Sequence, residues 1–212
     1  MTASNEPIRK LILASTSPRR KELITLLGMP FDVVPSLADE DTPDTWNAVQ
    51  VVEELALRKA QAVYDTLPGQ SEQAIIVGSD TVVVLDGKIL GKPSDRQEAK
   101  DMLESLQGRT HEVYSGVACI RTTDGATQVS HRATSVTMKP LAAKVIDAYV
   151  RTGEPDDKAG SYAIQGLGAT FIERIEGCYF NVVGLPLSLL SDLLADLGVH
   201  IWIQDSSEHT GE

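Results

Sequence analysis

The chain has 212 residues, 42% hydrophobic and 23% charged, enough apolar material for one large core or two small lobes. A formal net charge of −11 argues against a nucleic-acid polymer as partner, because polyanion affinity needs many Lys and Arg, but leaves room for a small anionic ligand. No run approaches the roughly 20 apolar residues of a membrane span and MTASNEPIRK lacks a signal-peptide core, so no membrane partner and a cytoplasmic address are expected.

The elements follow in chain order, with no repeat or linker; one unit over 9–200 is expected, with tails 1–8 and 204–212 disordered. KLILAS reads as a buried strand, followed at once by a helix with Ser17 as N-cap, Pro18 at its first position, Leu23, Leu26 and Leu27 as a stripe, and Gly28 as its stop. FDVVPS gives a second strand and then the acidic stretch ADEDTPDT. A long helix is predicted over Trp46 to Asp65, with Val49, Val52, Leu55, Ala56, Ala60 and Val63 on its apolar face. AIIVGSDTVVVLDGKILGKP holds two β-rich runs joined by Asp86 and Gly87, a hairpin signal. SDRQEAKDMLESLQG is helical, with Ser94 as cap and Gln97 as its capping-box partner. HEVYSGVACIR and QVSHRATSVTM pair across a turn at Asp124 and Gly125. AAKVIDAYVRTG is helical, YAIQGLGATFIERIEGCYFNVVG reads as two strands about Glu176 and Gly177, and LPLSLLSDLLADLG closes as an amphipathic helix. The sum is α/β with a mixed sheet, arranged as two lobes flanking a cleft. Cys119 and Cys178 sit in apolar or aromatic runs and read as small buried hydrophobes.

Four segments carry chemistry. The turn ASTSPRR offers the free N–H groups and positive dipole end of a helix start, the hydroxyls of Ser15 and Ser17, and the guanidinium forks of Arg19 and Arg20, all suited to phosphate. Asp80 interrupts an apolar strand, and an acid there is a catalytic base, a metal ligand or a structural hydrogen-bond anchor. Thr81, next along a regular strand, points to the opposite face. Lys92 follows the hairpin in a Gly-Lys-Pro turn and Lys59 lies on the long helix; a lone lysine is ordinarily solvent-facing. Glu40, in the acidic loop, pairs with Asp80 as a candidate ligand set for a hard divalent cation that substrate phosphates also hold, otherwise the loop is simply solvated. In GSYAIQGLG, the Gln165 carboxamide both donates and accepts, as reading a base edge requires. The glycines there fail as a dinucleotide fingerprint, lacking the third glycine and the following helix.

Taken together, ASTSPRR, VGSDTVV, LGKPSD, DKAGSYAIQG and the closing GLP resemble the Maf family of nucleoside triphosphate pyrophosphatases over roughly 9–200. The resemblance implies a Maf/ITPase-like fold of two α/β lobes and α–β phosphoanhydride cleavage. It also implies Asp80 as the acceptor that activates water, Arg20, Lys59 and Lys92 as triphosphate ligands, and a divalent cation, Mg2+ or Mn2+. The branch similar to dTTP/UTP pyrophosphatases carries Arg, Thr and Gln at three specificity positions, here Arg19, Thr81 and Gln165; the branch similar to 7-methyl-GTP pyrophosphatases carries Trp, Gln and Glu. Glu54 departs from the family's usual Arg-Leu-Ala, which bears on the placement of Lys59. Alternatives are a 7-methyl-GTP or modified-nucleotide pyrophosphatase, a non-enzymatic regulator of septum formation, and a nucleotide-binding module without turnover. A second copy of the chain, as a homodimer, is a candidate partner.

Overall fold

The computed structural model describes residues 10–67 and 73–202, so the expected tails lie outside the described residues. Among the described residues seven strands, β1 (Lys10–Leu13), β2 (Phe31–Val33), β3 (Ala74–Leu85), β4 (Lys88–Leu90), β5 (Thr110–Arg121), β6 (Thr127–Met138) and β7 (Ile172–Glu176), form a mixed sheet in the order β2-β1-β3-β5-β6-β7, with β4 paired to β3 off that path. β1 lies parallel between β2 and β3, as continuous apolar runs buried on both faces tend to. β4, β5, β6 and β7 are antiparallel to their neighbours. The β3–β4 turn places Asp86 and Gly87 at φ of 53° and 78°, the left-handed pair a tight hairpin demands.

The two faces of β3 are covered differently. Its even-numbered residues face α2 (Ala48–Tyr64): Ile76 packs with Ala56, Ala60 and Val63, and Val82 and Val84 pack with Val51, Val52 and Leu55. Its odd-numbered residues face two separate layers. Ile75 and Val77 pack under α1 (Pro18–Thr25) and α6 (Leu187–Asp196), while Val83 and Leu85 pack under α3 (Arg96–Leu106) and α4 (Ala143–Val150). These two layers are the lobes. Long strands and α2 bridge them from behind.

Both β1 and β4 pair with the edge of β3 opposite β5. β1 ends where Ala14 N donates to Val77 O, and β4 starts at Lys88 opposite Leu85 and ends at Leu90 opposite Val83. Between them the edge of β3 at Ser79 to Val82 has no strand neighbour among the described residues, and a cleft of about 560 Å³ opens there. The fold thus places a crevice beyond the carboxyl end of parallel β1, with the start of α1 at its rim.

Several sequence expectations need correction. α2 starts later than Trp46: Asn47 is its N-cap, in a capping box with Gln50, and Val51 rather than Val49 is buried on its face. α3 is capped by Asp95, not Ser94, and its partner is Glu98, not Gln97. Asp95 accepts from Glu98 N at 2.8 Å while Glu98 accepts from Ser94 N at 2.7 Å, the carboxylates being stronger acceptors than the neighbouring hydroxyl and amide. The segment 162–184 is not two strands. Only β7 is extended; Gly166–Phe171 forms 3₁₀ turns and α5 (Tyr179–Val183) is a short helix. Side chains replace the missing ladder there, Glu154 accepting the N–H groups of Leu167 and Gly168 and Asn181 donating to Val113 O. Cys119 is fully buried as expected, whereas Cys178 is only half-buried ahead of α5. Among the described residues no helix is long and apolar enough to cross a membrane.

Candidate active site

Close packing of α2 builds one side of the cleft. A Cβ on Gly78 would lie 2.1 Å from Ala56 O, and one on Gly116, the register partner of Asp80, 2.1 Å from Val52 O. Only glycine lets the helix settle at this depth, and that depth brings Lys59 onto the strand. Lys59 is buried, contrary to the solvent-facing expectation, and its Nζ lies 2.7 Å from Asp80 Oδ1 and 3.0 Å from Glu40 Oε1. Burial would raise the Glu40 carboxyl above its ordinary range, but the hydrogen bond and charge of Lys59, with Lys92 and Arg20 behind it, hold it below. Glu54 explains its own departure: it pairs with Arg58 Nε at 2.9 Å, and Arg58 donates to Asp41 O at 2.8 Å, tying down the acidic loop that carries Glu40. Lys59 therefore keeps its place although an acid occupies position 54.

The opposite face of β3 carries Thr81, as strand alternation requires. Arg20 Nη2 donates to Thr81 Oγ1 at 3.1 Å and Arg20 Nε to Gly184 O at 2.9 Å. Thr81 meets Ser115 Oγ at 2.8 Å, and Ser115 donates to Asn181 O at 2.8 Å. Because Ser115 spends its proton on that carbonyl, Thr81 donates to Ser115 and accepts from Arg20. Burial pulls the Arg20 guanidinium below its ordinary value, with Asp80 opposing. Arg20 is thus held by two acceptors at the cleft floor.

Pro18 opens α1 and Ser17 caps it; Ser17 Oγ accepts from Arg20 N at 3.5 Å and Ser15 Oγ from Ser17 N at 3.2 Å. Arg19 reaches Asp157 Oδ2 at 3.4 Å. Lys92 and Gln165 also line the cleft and form no hydrogen bond or ion pair among the described residues. Ser15, Ser17, Arg19, Arg20, Glu40, Lys59, Asp80, Thr81, Lys92 and Gln165 all reach this one cavity. Sequence reasoning left five contributors unnamed: Asp157 and Lys158 in the wall, Ser115 and Asn181 beneath Thr81, and Glu154 behind Gln165. Asp157 and Lys158 stand in the DKAG motif, a signal that was legible, whereas Ser115 and Asn181 act only through contacts that span 34 and 66 residues.

The family described as Maf-like protein matches residues 10–197. The chain belongs to the Maf family. A dTTP/UTP pyrophosphatase of Desulforamulus reducens is 50% identical over 194 residues, covering 92% of this chain and 100% of that one. One of Pelotomaculum thermopropionicum is 47% identical over 194 residues with the same coverage, and one of Moorella thermoacetica is 50% identical over 193 residues, covering 91% and 97%. Among solved structures, the Staphylococcus aureus Ham1 protein aligns with a TM-score of 0.44 and 16% identity, covering 77% of this chain and 79% of that one. The Maf motifs are the segments that the fold gathers around the free edge of β3.

Proposed function

We propose that this Maf protein is a nucleoside triphosphate pyrophosphatase that hydrolyses dTTP and UTP to the monophosphate and pyrophosphate. The observation that carries the reading is the convergence of one buried strand acid with Lys59, Arg20 and Lys92 at a single cleft whose far wall presents Arg19 and Gln165. The names of its relatives, dTTP/UTP pyrophosphatases at about half identity over nearly the whole chain, point the same way.

Asp80 is suited to accept the proton of a water whose oxygen attacks the α phosphorus. Its Oδ1 is taken by Lys59, and its Oδ2 receives no hydrogen bond from the described residues. As the new P–O bond forms, the α–β bridging bond breaks and pyrophosphate departs with the electron pair. Negative charge grows on the leaving group, where Arg20, Lys59 and Lys92 stabilise it. The helix start at Ser15 to Arg19 supplies backbone and hydroxyl donors to phosphate oxygens.

A divalent cation fits this donor set. Glu40 Oε1 and Asp80 Oδ1 both bind the Lys59 ammonium, so their other carboxylate oxygens, hard donors suited to Mg2+ or Mn2+, would hold the ion. Phosphate oxygens of the substrate and water would complete its shell. Such an ion would supply charge neutralisation to the triphosphate. Of the three specificity positions, Gln165 reads the pyrimidine by its free carboxamide and Arg19 as a donor to a base carbonyl, while Thr81 acts at the junction of base and phosphates, where it holds Arg20.

The test is pyrophosphate release from dTTP, UTP, CTP, GTP and 7-methyl-GTP with Mg2+ or Mn2+. Release from dTTP and UTP, lost in Asp80→Asn, is expected. Release confined to 7-methyl-GTP would contradict the base assignment, and no release from any nucleotide would contradict the reaction.

A further inference from the structure

We infer that Glu154 is a positioning residue that holds both base-reading side chains, Arg19 and Gln165, in register with each other; the inference rests on the reading of those two residues given above. The residue lies outside the strands and helices, in the turn after α4, yet its atoms reach both ends of the base site. Its carboxylate accepts from Leu167 N at 3.0 Å and from Gly168 N at 2.9 Å, which fixes the chain immediately after Gln165. The same carboxylate accepts from the buried Tyr149 hydroxyl at 3.0 Å, and that hydroxyl accepts from Ala163 N at 3.2 Å, which fixes the chain just before Gln165. Gln165 is therefore clamped on both sides by one acid and one phenol.

The other end of the connection runs through the backbone of Glu154. Its carbonyl accepts from Lys158 Nζ at 2.8 Å, Lys158 pairs with Asp157 at 2.5 Å, and Asp157 meets Arg19 at 3.4 Å. Arg19 has no other partner among the described residues. The position of its guanidinium across the cleft thus depends on a turn whose geometry the Glu154 carboxylate sets.

Two features fit an ionised, fixed carboxylate here. Burial would raise the Glu154 carboxyl, but the two backbone N–H groups, the Tyr149 hydroxyl and Lys158 together hold it below its ordinary range. Gly166 turns at φ of 73°, and a Cβ there would lie 2.7 Å from Glu154 Oε2, so the glycine makes room for the acid as well as for the bend.

The test measures kcat/KM for UTP and CTP in the wild type, Glu154→Ala, Glu154→Gln, Asp157→Asn, Arg19→Ala and Gln165→Ala, with thermal melting to establish folding. The UTP-to-CTP ratio is expected to fall roughly tenfold in Glu154→Ala, because a site built to hydrogen-bond a base loses its preference once those groups are misplaced. The loss should enter through KM for UTP, with kcat near the wild-type value. Glu154→Gln sets an amide donor against a backbone N–H and should lose part of the ratio; Asp157→Asn frees only the Arg19 end and should lose less. If Arg19→Ala and Gln165→Ala lower the ratio while folded Glu154 variants keep it, or slow both nucleotides equally, the positioning role is overturned and the base reading stands. Should Glu154→Ala fail to fold, the ratio in Glu154→Gln decides alone. An unchanged ratio in both Arg19→Ala and Gln165→Ala would instead overturn the base reading, and the role of Glu154 with it.

Discussion

The two faces of β3 solve different problems with different materials. On the α2 face, Asp80 and Lys59 are almost fully buried, supported by a long helix seated on two glycines, and their ion pair is short. On the other face and along the far wall, Arg19 and Asp157 form a longer, exposed pair, and Gln165 sits in irregular chain held by side chains. Strand and helix fix Asp80, Lys59 and Arg20, whereas loop contacts fix Gln165 and the Asp157 partner of Arg19. Altering a turn on the far wall leaves undisturbed the strand and helix that hold Asp80 and Lys59.

The largest effect expected is from Asp80→Asn, which should lower kcat by about 10²–10⁴-fold if it removes the general base. A nearly active variant would move proton acceptance to another group. Lys59→Ala comes next, since it leaves Asp80 buried without its cation. Breaking such a pair should cost about 3 kcal/mol in denaturant unfolding, against less than about 1 kcal/mol for Arg19→Ala at its exposed pair. Equal losses would erase the contrast between the two faces.

A pH experiment sharpens the comparison. His111 is buried behind the cleft wall, its Nε2 2.7 Å from the hydroxyl of Tyr162, and burial lowers its pKa from 6.5 to about 4. The unfolded chain takes up this proton below pH 6.5 while the folded chain resists it until about pH 4. Stability from this residue is therefore constant above pH 6.5 and declines between 6.5 and 4, by about 3 kcal/mol in all. His111→Gln should remove that part of the slope when unfolding midpoints are compared at pH 7, 5 and 4. Parallel curves for the two proteins would show that the fold does not lower the pKa of this residue. The smallest effect concerns Glu54→Ala, which releases Arg58 from an exposed pair and should change stability by less than about 1 kcal/mol. It should nevertheless weaken the hold on the acidic loop, read as a higher Mg2+ concentration for half-maximal rate.

How much of this was legible in the sequence follows the same division. The cap at Ser17, the Asp86–Gly87 hairpin and the lone acid of β3 are local signals, and the fold keeps each of them. Alternation alone separated Asp80 from Thr81. The segment 162–184 misled because its apolar and aromatic residues match strand composition, while its backbone is satisfied by Glu154 and Asn181 from far along the chain. Lys59 could not be recognised as buried, since only the depth of α2 over Gly78 and Gly116 brings it to Asp80. Capping at Asp95 instead of Ser94 is a one-residue shift that sequence rules do not resolve where two good caps adjoin.

Cleavage and base reading are assigned to different side chains, and kcat/KM for UTP and CTP in Asp80→Asn and Arg19→Ala separates the two most directly. Asp80→Asn is expected to lower both values by a common factor, leaving their ratio intact, and Arg19→Ala to lower the ratio while the CTP value stays near that of the wild type. A changed ratio in Asp80→Asn, or an equal loss for both nucleotides in Arg19→Ala, would contradict that assignment.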